Sequence, residues 1–543
     1  MKDISDNSSK RLKSQVGDVP VVVGLLGIVV LLILGSIVIP DMMSKGIASG
    51  TNFLADTFGW LYLAVYAMNF VLVFIIGFSR YGSIRLGGLE KPEFSTFSWM
   101  SMIFAAALAV SLIFFAPADL IMNSATVPPA FPGVEPGSNA AIEAAIAYMG
   151  VNWMPMFPGY CLAAVGLMIA HYHRGLPMNS SSMLYPVLWK RTGGNPTGGV
   201  IGRGFNFFAS LAILAGMLAP IGLLALSLGR SLQVVYDIVP NNLIHTGIII
   251  GTTVIVILGA VTGLHKGIRL LANWNSWLLL VLGLAILALG PTLPLIKLIF
   301  SSFGIMISEY PRLALWTNPF GDITWLSYWP IFFAAFCIGW IPLMGIFFAR
   351  ISRGRTIREI TVFATLILNG AFFVWYLIMA GSSVHYDRLF DGIATKALAE
   401  GGTEMVLWAW LSQIPGHQIL VPLFMIVTVI VLASSADAIA DSLAVTTTGL
   451  TDPSKWHKIL WSVAMGGTSL VLLYLGGLTQ IQGAILITAF PVAIAMVVYN
   501  LKCLPKMLKD VEKSHYLDLP NEHLNISIPD EDPSITTTKE IVS

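Results

Sequence analysis

Charge is what this sequence has least of: Asp, Glu, Lys and Arg make up 11% of its 543 residues, against 56% hydrophobic residues. A soluble domain carries about a quarter charged residues, so a soluble globular protein is excluded. With a mean hydropathy of +0.79, apolar runs must fill most of the chain, as in a polytopic membrane protein. The formal net charge of +1 leaves no basic face for nucleic acid. Three cysteines, Cys161, Cys337 and Cys503, share no metal or redox spacing, and no disulfide framework is implied. His171 and His173 sit at a charged helix end and form no metal motif. No Gly-rich Lys-Ser/Thr loop is present to hydrolyse a nucleotide. A membrane enzyme would need a nucleophile with a base or a metal cluster, and a channel a repeated filter; neither is found.

What the chain does have is spans. Apolar runs lie at 21–40, 58–79, 97–121, 141–171, 203–229, 242–264, 274–291, 325–349, 359–383, 417–447, 457–477 and 481–501. They predict an all-α integral membrane protein with twelve transmembrane helices, and an even number puts both termini on one side. Of the 30 Lys and Arg residues only Lys45, Arg230, Lys297, Arg312, Arg388 and Lys396 fall on the other side, so both termini are predicted to be cytoplasmic. Residues 1–20 then form a cytoplasmic tail and 21–96 two accessory helices. Residues 292–324, interrupted by Lys297, Glu309 and Arg312, suit an amphipathic helix on the outer surface. Residues 502–543 form an acidic cytoplasmic tail that turns polar after Leu508 and from there has no packed-core pattern.

The most informative stretch runs from Trp325 to Arg358. Trp329, Phe333, Phe336 and Trp340 recur at helical spacing and line one face, with Gly339, Pro342 and Gly345 expected to weaken the backbone below them. Ring faces attract a cation without a buried counter-ion, so such a stripe can hold one at mid-depth; the same rings can equally pack or face lipid. It ends in Phe347-Phe348-Ala349-Arg350-Ile351-Ser352-Arg353-Gly354-Arg355-Thr356-Ile357-Arg358-Glu359. This motif resembles the signature of the betaine/choline/carnitine transporter (BCCT) family. So do Phe78 to Gly87, Ser98 to Ala106, Ser181 to Pro186, Gly263 to Ile268 and Ser434-Ser435-Ala436-Asp437, all in the family's order.

The resemblance implies a LeuT-like core of two inverted five-helix repeats, 97–291 and 325–501, after two extra helices, with the solute near the midplane between the repeats' first helices. It further implies a secondary transporter of a small zwitterionic or quaternary-ammonium solute (betaine, choline or carnitine-like) in the plasma (bacterial inner) membrane, with lipid around it, and a homotrimer. Counting back from the arginine motif, the family's ammonium box falls on Phe336, Cys337 and Trp340 in the eighth span. Trp153 matches in the fourth, where Tyr160 and its neighbours restore the rest of the pattern only with a gap. By the same resemblance Ser434 and Ser435, with the carbonyls of Ala105 and Leu108, form one sodium site. Those serines also suit plain bonds to the preceding turn. No second sodium is expected, because Ala215 and Ala219 replace the family's threonines. Asp437 and Asp441 share one helix face, and carboxylates at that depth either pair or carry protons; proton coupling ranks below sodium. Asp119 is expected to close the third span structurally. Cys337 in place of a ring, and Ala107, Ala109 and Ser111 where relatives have glycines, keep open a carrier of the same fold for a non-quaternary solute.

Overall fold

Lipid offers no partner for backbone N–H and C=O groups, so an apolar chain must close its hydrogen bonds within helices. The computed structural model describes residues 18–108, 115–189, 197–262, 264–450, 452–476 and 478–517, and these are helical almost throughout. In chain order the helices are α1 (Val19–Val38), α2 (Pro40–Phe78), α3 (Thr96–Leu108), α4 (Ala116–Ala125), α5 (Asn139–Trp153), α6 (Met156–Met168), α7 (Val200–Tyr236), α8 (Asn242–Thr262) and α9 (Leu264–Leu289). They continue with α10 (Thr292–Leu313), α11 (Phe332–Ile351), α12 (Ala364–Leu389), α13 (Ile393–Gly401), α14 (Thr403–Leu411), α15 (His417–Thr448), α16 (Lys455–Gly476), α17 (Leu478–Val498) and α18 (Leu504–Leu517).

Within the described residues, each apolar run marked in the sequence falls chiefly on helix. Among the described residues eight helical stretches are long and apolar enough to cross a membrane: Pro40–Phe78, Asn139–His173, Asn242–Gly259, Thr292–Leu313, Thr324–Ile351, Glu359–Leu389, His417–Thr448 and Gln482–Ser514. The chain is thus a multi-pass membrane protein. Lys297, Glu309 and Arg312 do not interrupt α10, which is one helix lying against α5 and α12. The most apolar 18-residue part of each of Asn139–His173 and Thr324–Ile351 is 94% buried, so the remaining helices surround these two.

That central contact is made by small residues. A Cβ on Gly345 would stand 2.7 Å from Ala163, and one on Gly159 2.8 Å from Ile341, so α11 and α6 approach more closely than larger side chains allow. Here the sequence expectation is corrected: α11 runs unbroken through Gly339, Pro342 and Gly345, because the glycines serve packing rather than irregular backbone. The irregularity lies on the other side of the ring stripe, in a π-helical turn over Ser327–Ile331 that contains Pro330. A second break separates α5 from α6 at Met154 and Pro155, where the Asn369 side chain donates to the freed Met154 carbonyl at 2.8 Å.

At the arginine end of α11 two loops clamp together around an isolated antiparallel bridge between Arg85 and Thr356. Gly354 N–H donates to the Leu86 carbonyl (2.8 Å) and Ile357 N–H to that of Ile84 (2.9 Å). The arginines do more than mark topology. Arg358 Nε donates to the Gly77 carbonyl (2.9 Å), while Arg355 donates to the Phe94 carbonyl and lies 4.0 Å over the Trp99 ring. Burial pulls the Arg355 pKa down from its ordinary value, with Glu359 opposing. Gly354 holds φ +77° and its absent Cβ would sit 2.2 Å from the Lys91 carbonyl oxygen. Gly354→Ala must therefore strain the backbone and push the loops apart, costing more than about 1 kcal/mol; an apparent melting temperature in detergent equal to wild type would refute this.

α18 continues past Leu508, where the sequence turns polar and acidic. Leu504, Met507, Leu508 and Val511 repeat at helical spacing and are buried. Asp510 pairs with Arg174 (3.3 Å) and Glu512 with Arg80 (3.2 Å). The rest of that tail, 518–543, lies outside the described residues.

Candidate functional site

Eleven positions of α-helix span ~16 Å, so the two ends of the ring stripe meet different neighbours. At the upper end Trp329 stacks on Phe333 with centroids 5.9 Å apart, and Phe333 meets Trp153 edge to face at 4.5 Å. Phe372 and Tyr376 of α12 close around the same indole at 5.1 and 5.4 Å. At the lower end Phe336 and Trp340 pair at 5.2 Å. Trp340 turns to α7, where a Cβ on Gly216 would lie 2.3 Å from its Nε1; that buried N–H has no partner among the described residues. Cys337 and Tyr160 form a third group with Tyr66. The single Tyr66 proton goes to the Asn152 carbonyl at 2.6 Å, leaving the Cys337 thiol, 3.2 Å away, to donate to the Tyr66 oxygen. The Tyr160 hydroxyl bonds the same sulfur. The residues selected from sequence therefore surround α11 in three groups rather than one ring.

Several members of these groups escaped sequence reasoning. Tyr66, Phe372 and Tyr376 lie outside the motifs marked in the sequence, and only a lone tyrosine in an apolar run could have marked the last. Asp119 is 3% exposed and joins the upper group. Its Oδ2 accepts from the Tyr376 hydroxyl at 2.6 Å and faces Trp153 Nε1 at 3.5 Å, and its Oδ1 accepts from Asn123.

Ser435, on α15, donates its hydroxyl to the Ala105 carbonyl of α3 at 2.8 Å, and lies 3.1 Å from the Val431 carbonyl of its own preceding turn. Two oxygens from different helices are thus adjacent where a hard cation could take both. The side chains of Ser434 and Leu108 lie outside the described residues, as do residues 109–114.

Asp437 and Asp441 do not behave alike. Asp441, 5% exposed as a side chain, is bonded to Arg350 of α11 and lies 2.7 Å from Lys458 Nζ of α16. Asp437, one turn away, is buried against α8 at Gly259, and its Oδ1 has no hydrogen-bond partner among the described residues.

Comparison with known proteins agrees with this architecture. A family model described as "BCCT, betaine/carnitine/choline family transporter" matches residues 20–513. The chain is 30% identical over 471 residues to glycine betaine transporter 2 of Vibrio parahaemolyticus, covering 86% of this chain and 85% of that one. It is 30% identical to the high-affinity choline transport protein of Escherichia coli (90% and 72% covered) and 31% identical to the betaine/ectoine transporter LcoP of Corynebacterium glutamicum (84% and 73%).

Proposed function

Because the chain belongs to the betaine/carnitine/choline transporter family, and is a membrane carrier of small molecules rather than an enzyme, we propose that it moves a quaternary-ammonium or zwitterionic solute by alternating access. The observation that carries this reading is the convergence of Trp153, Phe333, Phe372 and Tyr376, from three helices, beside the break between α5 and α6. Rings arranged this way can receive a trimethylammonium group when Phe333 moves off Trp153. Phe336 and Trp340 extend the path toward the arginine end of α11.

In this reading α3 to α9 and α11 to α17 are two inverted repeats of a twelve-span protein with both termini cytoplasmic, residing in the plasma membrane as a trimer. The clamp at Arg85 and Thr356 is then on the cytoplasmic side, tied shut, and α10 lies along the outer face. Sodium is the proposed coupling ion, held by Ser435, Ser434 and the Ala105 and Leu108 carbonyls; the Ser435 to Ala105 contact supports this. Ser435→Ala should raise the sodium concentration needed for half-maximal uptake at least tenfold, on the order of one lost oxygen ligand. Uptake that responds identically to sodium in both proteins would remove this site.

A second reading, a solute without a quaternary nitrogen, is favoured by Cys337, which presents a thiol between two hydroxyls where relatives carry a ring. One similar protein is named for ectoine as well as betaine. Tryptophan fluorescence of the purified protein, titrated with glycine betaine, choline, carnitine and ectoine with and without sodium, tests both. Saturation by ectoine alone would select the second reading, and no saturation by any would refute both.

A further inference from the structure

Asp119 is a buried carboxylate without a cation. Its partners are the Tyr376 hydroxyl, the Trp153 indole N–H and the Asn123 amide, all donors, and no arginine, lysine or histidine lies against it among the described residues. Residues 109–114, which precede it as AVSLIF, contain no basic residue either. Donors placed on both oxygens favour the ionised form through hydrogen bonding. Yet a buried charge is costly until an opposite charge arrives.

We propose that the transported ammonium group supplies that charge: Asp119 is the specificity-determining counter-charge of the aromatic site, acting through Trp153 and Tyr376. The inference rests on the reading above and adds what it lacked, a reason for the site to distinguish a cationic head from a neutral one of the same shape. Two donors tie the carboxylate to rings whose faces meet Phe333 and Phe372. Accepting from N–H and O–H groups enriches both ring systems in electron density, and the charge itself attracts the ammonium across the rings.

The test compares ligands that differ only in the head atom. Choline is paired with 3,3-dimethylbutan-1-ol, and glycine betaine with 3,3-dimethylbutanoate, carbon replacing nitrogen in each. Affinities are measured by tryptophan fluorescence on purified wild type, Asp119→Asn and Asp119→Glu. Asp119→Asn keeps the shape and a hydrogen-bond acceptor but removes the charge; the preference for each ammonium ligand over its carbon isostere should fall by roughly tenfold. Asp119→Glu should keep most of that preference. If Asp119→Asn weakens both members of each pair equally, the residue is structural and the inference is overturned while the transport reading stands. If wild type binds neither choline nor glycine betaine, this inference is overturned, while the transport reading is decided separately by the carnitine and ectoine titrations. Should Asp119→Asn not reach the membrane, Tyr376→Phe removes one bridge between carboxylate and rings. The preference should fall there too, and an unchanged preference overturns the proposal.

Discussion

Replacing Trp153 with alanine should abolish saturable solute binding. The indole is fully buried, meets three other rings and points its N–H at Asp119, so its loss opens a cavity where the α11, α12 and α4 side chains converge. Such truncations cost about 3–5 kcal/mol in packing, and Phe333 and Tyr376 are free to collapse into the space. A ring that holds a desolvated ammonium adds about 2 kcal/mol of binding. Together these should weaken binding by a factor of roughly 100 or more. Trp153→Phe keeps a ring but loses the bond to Asp119, and should fall between. Trp461→Phe is the control: that indole is equally buried but bonds Thr447, away from the site. Affinity for glycine betaine or choline within twofold of wild type in Trp153→Ala would place the solute elsewhere.

The second large effect concerns stability. Asp441→Ala leaves the partly buried Arg350 and the buried Lys458 with only the exposed Asp452, 3.9 Å from Lys458, and breaking one partner out of such a group costs up to about 3–5 kcal/mol. The variant should melt several degrees lower in detergent, roughly in line with that loss. Replacing all three charged residues by apolar ones of similar size should recover most of the loss, since well-packed apolar groups often equal a buried ion pair. Unchanged melting in Asp441→Ala would show that the three charges are solvated in the folded protein.

The helices were legible because period and length in an apolar chain leave few alternatives, and the described residues of each run from 21–40 to 481–501 lie chiefly on helix. The family could be read because the motif from Phe347 to Glu359 combines types and spacing that hydropathy alone does not require. The site was legible only in part. Trp329, Phe333 and Trp153 meet as rings, but nothing in the sequence says that Cys337 turns to Tyr66, 271 positions away along the chain. The backbone irregularity was put on the wrong side of the stripe because glycine has two uses, and sequence cannot separate freedom of φ from room for a neighbour. Gly345 serves the second, against Ala163. Asp119 read as a span end because its partners, Tyr376 and Trp153, come from other helices.

The clamp at the end of α11 also orders events in time. The Gly77 carbonyl is bonded by Arg358, 281 positions later. At roughly 5–20 residues per second of synthesis, that carbonyl and those of Ile84, Leu86 and Phe94 are made tens of seconds before the groups that bond them. Until then α2 and α3 reside in the bilayer without the loop that fixes their mutual angle. Closure over so long an interval belongs to the late, slow class of contacts. The protein is therefore assembled from inserted helices that are locked together only when the ribosome has passed the arginine motif, and a chain stalled before Arg355 would hold its first helices unfastened and open to rapid degradation.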